Sequence, residues 1–310
     1  MRKILRAVII LLGILAVGFL SLVVIYFVQK KPSMYVTYDN ADRYTAGNFT
    51  YQAQDVDAVE ISWLSGAVRI VRGTGPELKV SEDVETLSDR EQLRWWIDGR
   101  TLRIQYWASN YGTDKAVEKA LAVEIPDSIS LDVAVRKGAL SLGTLDLKTL
   151  NARVTSTGDL YLDTVKAQGE MTLENSAGYA EIRSVSAADI RFESKLGEAV
   201  FGRMEATNQI EMSSTRVTLQ VNSVKAKDVK IRGFSGVKLG VEACESVDIR
   251  ESGSSDVSLT LGDGVGATVD FTTGSGKLNG KTVQDTARTT IGDGNCRISV
   301  DVGEGNLTVR

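Results

Sequence analysis

A repeat of about 19 residues between residues 131 and 261 constrains the fold of this chain more than any other feature. Apolar and polar residues alternate with period two, and β-branched residues are frequent, which is typical of strands. A nearly constant step separates the apolar residues that end one strand in each repeat: Val135, Val154, Leu173, Phe192, Met212, Ile231 and Ile249. Two positions earlier stands a second column: Val133, Ala152, Met171, Ile190, Ile210, Val229 and Val247. Such a period predicts repeated structural units.

Each strand end is followed by a small residue that lets the backbone bend. These small residues are Gly138, Gly158, Gly178, Gly197, Thr215, Ser235 and Ser255. Four positions later comes a third apolar column: Leu142, Leu162, Ile182, Phe201, Leu219, Leu239 and Leu259. Residues 61–70, 269–278 and 298–307 fit the same template, so ten segments of the chain share one pattern.

The repeat predicts the fold class. Two short strands per repeat cannot bury their apolar face alone, whereas stacked repeats place each apolar column on its counterpart. We therefore predict an all-β fold whose main part is a parallel β-solenoid with coils of about 19–20 residues. An antiparallel sandwich is the alternative, since it also has frequent turns, but it does not require a constant period.

A membrane segment precedes the repeats. Residues 7–28 (AVIILLGILAVGFLSLVVIYFV) form an unbroken run without a charge. A helix of that length spans roughly 33 Å, enough for a bilayer core of about 30 Å. We predict a single transmembrane helix. A cleaved signal peptide is the alternative, because Ala16-Val17-Gly18 resembles a cleavage site, but the uncharged run continues well beyond it.

The flanking charges predict the topology. Three basic residues precede the helix and two lysines follow it, which favours a cytoplasmic N-terminus at residues 1–6 and an extracytoplasmic C-terminal part. That part carries 31 Lys+Arg against 40 Asp+Glu, a net charge of −9. This charge argues against binding to nucleic acid or anionic lipid headgroups. We predict a stalk at residues 29–58, an N-terminal β cap region at residues 59–128 and repeats at residues 129–310.

Two local patterns stand out in the cap region. Residues 94–107 (RWWIDGRTLRIQYW) predict a β-hairpin with a type I′ turn at Asp98-Gly99. The Ala, Lys and Glu content of residues 113–121 favours a short helix.

The composition excludes several kinds of chemistry. The chain has no histidine, which excludes Ser-His-Asp and Cys-His catalysis and imidazole metal sites. Acidic residues fall at solvent-facing positions of tight repeats: Asp159, Glu181, Glu198, Glu242 and Asp256. The Gly262-Asp263-Gly264 and Gly292-Asp293-Gly294 segments lack the spacing of a calcium loop and are interpreted as turns. We predict no catalytic residue, no cofactor and no metal.

Tryptophan and cysteine provide the remaining candidates. All four tryptophans lie in the cap region. Trp95, Trp96 and Trp107 are candidate contacts for a glycan or partner, although core packing is the more common role, and the adjacent Trp95 and Trp96 must point to opposite faces of their strand. Cys244 and Cys296 lie in repeats at least two coils apart in sequence order, so we expect two small buried thiols rather than a disulfide.

Several segments resemble a known family. Residues 38–51 (YDNADRYTAGNFTY), 59–70 (VEISWLSGAVRI) and 93–107 (LRWWIDGRTLRIQYW), followed by short G-x-G strand turns, are similar to the bacterial membrane-anchored "putative adhesin" family of β-strand-repeat proteins. The resemblance covers residues 35–310. It implies a β-solenoid ectodomain on a Gram-positive-type cell envelope, often found with envelope-stress regulators, and it carries over no catalytic residues.

These observations predict a non-catalytic extracytoplasmic surface protein, either adhesin-like or an envelope-interaction and stress-signalling module. Its partner would be an envelope or cell-surface component or a membrane regulatory protein. The alternative is a carbohydrate-active enzyme or glycan-binding module on a β-solenoid, and a spacer is a third hypothesis. The sequence leaves the oligomeric state open. It ends on a strand pattern, Asn306–Arg310, whose uncovered edge would permit end-to-end pairing.

Overall fold

The computed structural model describes residues 35–84, 86–112 and 117–310. The segment predicted to cross the membrane lies outside these residues. Within the part of the chain that is described, no helix has the length and apolarity needed to span a bilayer. One compact unit contains the antiparallel pair β1 (Tyr35–Val36) and β9 (Tyr111–Gly112), and the other holds residues 40–108 and 117–310.

The second unit is built from strands, with 3-10 helices only at Ala41–Arg43 and Ala53–Asp55 among its described residues. Its N-terminal strands are β2 (Thr45–Ala46), β3 (Phe49–Gln52), β4 (Ala58–Ser65), β5 (Val68–Arg72), β6 (Glu77–Glu82), β7 (Arg94–Asp98), β8 (Thr101–Gln105) and β10 (Leu121–Ile125). The later strands are β11 (Ser130–Lys137), β12 (Leu140–Leu142), β13 (Leu145–Leu147), β14 (Thr149–Thr157), β15 (Leu160–Ala167), β16 (Glu170–Ala187), β17 (Asp189–Ala206), β18 (Gln209–Lys225), β19 (Asp228–Arg232), β20 (Gly236–Ala243), β21 (Ser246–Ser254), β22 (Asp256–Leu261), β23 (Ala267–Leu278), β24 (Lys281–Ile291) and β25 (Cys296–Val309).

Successive repeats pair in parallel, which confirms the all-β class and its parallel core. The first strand of each repeat pairs with the next in the order β4, β11, β14, β16, β17, β18, β19 and β21. Met171, Ile190 and Ile210 lie side by side in this register and are at most 1% exposed. The apolar columns therefore form the core. We call the described residues of 58–108 and 117–309, which contain this core and the strands that cover its ends, the parallel stack.

All three predicted columns are out of register in places, since Ala152 of the second column lies beside Leu173 instead of Met171. Val154 was predicted to lie beside Leu173, but it lies beside Asn175. The reason is that more residues separate Leu150 from its partner Met171 than separate Leu131 from its partner Leu150. The extra length comes from a register shift ahead of Thr157 and from the turn after β15. In the third column, Leu219 lies beside Ala199 and Val237 instead of Phe201 and Leu239. Each of these errors spans an even number of positions, so the residues still face the core.

The N-terminal end of the parallel stack departs from sequence order. β8 pairs in parallel with β4, and β10 pairs in parallel with β5, so both lie outside the first repeat of the chain. Antiparallel β7 and β6 then cover these outer strands. Residues 45–52 of the predicted stalk pair with β7 and β6. Of the helix predicted at residues 113–121, residues 113–116 lie outside the described part of the chain. Residues 117–120 are not helical and Leu121 begins a strand, which corrects the prediction for residues 117–121.

The predicted hairpin at the N-terminal end is present with a different turn. Asp98 pairs with Thr101, so the two loop residues are Gly99 and Arg100. Gly99 has φ 61°, whereas Arg100 is not among the residues with positive φ. This pattern belongs to a type II′ turn rather than the expected type I′ turn.

The C-terminal end is also built out of sequence order. β25 lies between β21 and β22 on one side and β23 on the other, and antiparallel β24 forms the outer edge. The hairpin between β23 and β24 turns at Asn279 and Gly280, with φ 48° and 82°, a type I′ turn. The Asn279 N–H donates to the Leu307 carbonyl at 2.9 Å, and the Val309 N–H donates to the Asn279 side chain at 2.8 Å. The terminal strand is therefore covered, contrary to expectation.

The strand order also corrects the expectation for the cysteines. Cys244 and Cys296 form a disulfide with a Cα–Cα distance of 5.5 Å, a usual separation for this bond. The expectation of two thiols assumed that the repeats stack in sequence order. Because β25 pairs directly with β21, the two cysteines belong to adjacent coils.

Candidate functional site

The aromatic cluster of the cap region is mainly a packing feature. Trp107 is fully buried, with its ring 4.8 Å from the ring of Tyr106, which in turn lies 4.9 Å from Trp63. Trp107 therefore belongs to the core and cannot form the surface contact considered for it.

Trp95 and Trp96 point to opposite faces, as expected for neighbours in a strand. Trp95 stacks on Phe49 with ring centroids 4.1 Å apart. Trp96 meets Tyr44 edge-on at 5.6 Å, and the Arg43 guanidinium lies 5.4 Å from its ring centre. Both tryptophans are half-buried. Each has part of its ring surface covered by a neighbour, which reduces the area left for a ligand.

A buried ion pair lies behind this cluster. The Lys119 ammonium is 2.6 Å from the Glu82 carboxylate and 2.6 Å from the Glu91 carbonyl oxygen, and it lies 4.4 Å from the ring centre of Tyr106. Only 1% of the Lys119 side chain and 5% of the Glu82 side chain are exposed. Burial lowers the pKa of Lys119, and the Glu82 carboxylate opposes that shift. The pair ties β6 to the segment before β10. Lys119 lies two residues before the buried Leu121, so in an extended chain both side chains face the core. This alternation would have predicted that Lys119 is buried.

A second buried carboxylate lies near the C-terminal end. Glu251 is 4% exposed, and neither of its carboxylate oxygens has a hydrogen-bond partner of normal geometry. Burial raises the pKa of Glu251 to about 8, and Arg232 acts in the opposite direction. Its buried position keeps it away from any substrate in solvent.

Several carboxylates outside the core are held by basic partners. Arg100 lowers the pKa of Asp57, Lys225 lowers that of Glu205, and Arg288 lowers that of Asp270: the pairs are Asp57–Arg100, Glu205–Lys225 and Asp270–Arg288. In the described ranges, no group of three or more His, Cys, Asp or Glu residues could hold a metal ion. The two G-D-G segments lie in turns, as interpreted from the sequence.

One groove, of about 810 Å³, follows a corner of the parallel stack across five repeats. Its floor contains a column of four buried alanines from adjacent repeats: Ala167, Ala187, Ala206 and Ala226. The charged residues at its rim include Lys225 and Glu205, which pair with each other at 3.0 Å. The groove therefore combines a floor of small apolar side chains with a polar and charged rim.

A pair of tyrosines forms the most distinctive outward-facing group on the repeats. The ring centroids of Tyr161 and Tyr179 are 6.5 Å apart, and both residues are half-buried. Asp159 holds the Tyr161 ring and the Tyr179 backbone, because its carboxylate accepts a hydrogen bond from the Tyr161 hydroxyl at 3.1 Å and one from the Tyr179 backbone N–H at 2.9 Å. Burial raises the pKa of both tyrosines, and Glu181 raises both further. Both are therefore neutral phenols at physiological pH.

Each of the two tyrosines lines a separate depression. One, of about 320 Å³, is lined by Tyr161 together with Arg69, Asp163, Glu181 and Arg183 among others. The other, of about 530 Å³, is lined by Gly178, Tyr179, Gly197, Glu198 and Thr218. The sequence signal for this site was available, since Tyr161 and Tyr179 are aromatic residues at solvent-facing positions of a repeat.

Comparisons with known proteins give structural similarity alone. No family profile matches the chain, and no curated protein matches it. A "putative cell adhesion protein" from Clostridium sporogenes ATCC 15579 is 7% identical with a TM-score of 0.25, and the match covers 86% of this chain and 98% of that chain. A "putative adhesin" from Bacteroides fragilis NCTC 9343 is 9% identical with a TM-score of 0.39, and the match covers 86% and 97%. Similarity of fold does not by itself assign a function.

Proposed function

We propose that this chain is a non-catalytic, adhesin-like surface protein. In this proposal residues 7–28 cross the cell membrane once, the N-terminus is cytoplasmic, and the parallel stack is an extracytoplasmic β-solenoid. The solenoid acts through its surface on an envelope or cell-surface component, or on a membrane regulatory protein.

The disulfide is the observation that carries this proposal. Disulfides form and persist in oxidising compartments outside the cytoplasm and are uncommon inside it. Cys244 and Cys296 are the only cysteines in the chain, and they are paired. A structural disulfide that joins adjacent coils therefore favours export of the parallel stack, in agreement with the apolar segment before it.

The electrostatics of the surface support a binding role rather than catalysis. General acids and bases need a pKa near the working pH. Here Asp57, Glu205 and Asp270 have pKa values lowered by their basic partners, so they are fixed anions. Glu251 has a raised pKa, but it is buried in the core.

A topology experiment tests the location. Alkaline phosphatase fused after Arg310 of the full chain is active only outside the cytoplasm, whereas a cytoplasmic reporter at the same position is active only inside. We expect activity from the phosphatase fusion alone. Activity from the cytoplasmic reporter alone would contradict the proposal. A matched fusion lacking residues 7–28 should lose phosphatase activity.

The second candidate is a glycan-binding module, and the exposed tyrosine pair is the observation that favours it. Aromatic rings beside hydrogen-bonding side chains combine an apolar face with polar groups at one surface. A carbohydrate-active enzyme is the corresponding catalytic alternative. Incubating the purified chain with polysaccharides and measuring newly formed reducing ends separates them, since a binding module releases none.

A further inference from the structure

The tyrosine pair and its two depressions form a surface that differs from the rest of the parallel stack. The Asp159 carboxylate accepts a hydrogen bond from the Tyr161 hydroxyl at 3.1 Å and one from the Tyr179 backbone N–H at 2.9 Å. An aromatic side chain held in place loses little side-chain entropy when a ligand stacks on it. The Tyr161 ring is therefore preorganised for contact, and the Tyr179 ring centre lies 6.5 Å from it.

Charged groups around the rings set the ligand class. Asp163 is engaged by Arg183 at 3.1 Å. The remaining carboxylates near the rings belong to Asp159, Glu181 and Glu198, and the remaining cation is Arg69: these four groups leave an excess of negative charge. Such a surface repels polyanions and attracts ligands that carry amines or only neutral hydroxyls.

The two depressions give the site its extent. Tyr161 lines the first and Tyr179 lines the second, so a chain-like ligand that contacts both rings also meets the polar groups of both depressions. Gly178 and Gly197 keep the second depression open, and a Cβ at Gly197 would come within 2.0 Å of the Gly178 carbonyl oxygen. The close approach of the two backbones therefore requires glycine at residue 197. Because glycine has no side chain, the backbone forms the floor of the second depression.

We propose that this surface binds a hexosamine polymer, with sugar rings stacked on Tyr161 and Tyr179 and amino groups near Glu181 and Glu198. The proposal deepens the adhesin-like function by naming a ligand class. It places the aromatic contact on the repeats, whereas the sequence had suggested the tryptophans of the cap region.

Binding of defined oligosaccharides tests this proposal. The full chain, purified in detergent, is titrated calorimetrically with a glucosamine hexamer, an N-acetylglucosamine hexamer and oligogalacturonate. We expect binding to both hexosamine oligomers, tighter for glucosamine, and none to oligogalacturonate. The double variant Tyr161→Ala/Tyr179→Ala should weaken both interactions by about tenfold or more, while Tyr161→Phe/Tyr179→Phe should retain the ring contribution.

A second pair of variants keeps the test independent of folding. Glu181 and Glu198 are exposed, so Glu181→Gln/Glu198→Gln should leave the fold intact and weaken glucosamine binding selectively by severalfold. Trp96→Phe is the matched aromatic control and should bind like the native chain.

Hexosamine binding that is absent, or unchanged in the double alanine variant, would overturn the proposal, as would a preference for oligogalacturonate. These outcomes would leave the reporter fusion result, and thus the surface location, unaffected.

Discussion

The two ends of the parallel stack use one topological solution with different chemistry. At each end the chain leaves sequence order and covers the outer repeat with antiparallel strands, β6 and β7 at the N-terminal end and β24 at the C-terminal end. At the N-terminal end, Glu82 is buried against Lys119 among aromatic rings. At the C-terminal end, a disulfide fixes β25, and the buried Glu251 has no hydrogen-bond partner of normal geometry.

This difference shows that the two ends of a stack of repeats can be stabilised by different kinds of interaction. A repeat stack needs ends that cover its core and do not offer an unpaired edge. The N-terminal end relies on non-covalent packing with a paired charge, whereas the C-terminal end relies on a covalent link beside a buried carboxyl group. The two ends should therefore respond differently to mutation, redox conditions and pH.

The largest expected effect is at the N-terminal end. Lys119→Ala leaves the buried Glu82 carboxylate without its cation, and we expect the free energy of unfolding to fall by about 3–5 kcal/mol. Urea unfolding followed by tryptophan fluorescence measures it. Lys79→Ala is the matched control, since Lys79 and Glu124 are 3.5 Å apart and about half exposed, and it should cost at most about 1 kcal/mol. Equal losses in both variants would contradict the role of Lys119.

The disulfide should account for the next largest effect, at the C-terminal end. Cys244 and Cys296 have a sequence separation of 52, and a link over that span stabilises by about 2–4 kcal/mol. In Cys244→Ser/Cys296→Ser we expect a loss of that size, with faster hydrogen exchange in β23, β24 and β25. Exchange in β4 and β5 should stay unchanged. Uniformly faster exchange along the stack would show that the disulfide has no local role.

The buried carboxyl group of Glu251 should make the stability of the chain depend on pH. The pKa of Glu251 is raised to about 8, so the folded state binds its proton more tightly than the unfolded state. The free energy of unfolding should therefore fall as the pH rises from about 5 to about 8, and level off above that range. In Glu251→Gln this contribution should disappear, making the variant the more stable protein at pH values of about 8. Parallel pH profiles for the two proteins would contradict the prediction.

The smallest effects should come from the turns of the terminal hairpins. Gly99 and Gly280 have φ of 61° and 82°, and a Cβ at either position would meet no atom within 4 Å. Gly99→Ala and Gly280→Ala should each cost about 1 kcal/mol through backbone strain alone. Gly75→Ala is the control, because Gly75 also has open space but no positive φ. A loss in thermal stability of the same size at Gly75 would refute strain as the cause.

The sequence predicted the parts of the fold that depend on period. Repeated apolar positions placed residues such as Met171, Ile190 and Ile210 in one buried column, since neighbouring repeats in the middle of the chain follow sequence order. It could not predict that β25 inserts beside β21. The period shows which residues of a strand face the core, but it does not show which strand lies next to it. The error over Cys244 and Cys296 follows directly from that.

The candidate site could be predicted only in part. The sequence concentrated attention on the tryptophans because of their number, but burial of Trp107 and the partners of Trp95 and Trp96 are tertiary features. Tyr161 and Tyr179 belong to different repeats in the sequence, yet their ring centres are 6.5 Å apart. Their proximity follows from coil stacking and from Asp159, which periodicity alone does not reveal.

The state of the two cysteines in the native cell tests the central claim most directly. Cells are treated with an alkylating reagent to block free thiols, the full chain is isolated without reductant, and its peptides are identified by mass spectrometry. We predict a linked peptide that joins Cys244 to Cys296, which requires both the insertion of β25 beside β21 and an oxidising location. Recovery of both cysteines as alkylated free thiols would contradict the account.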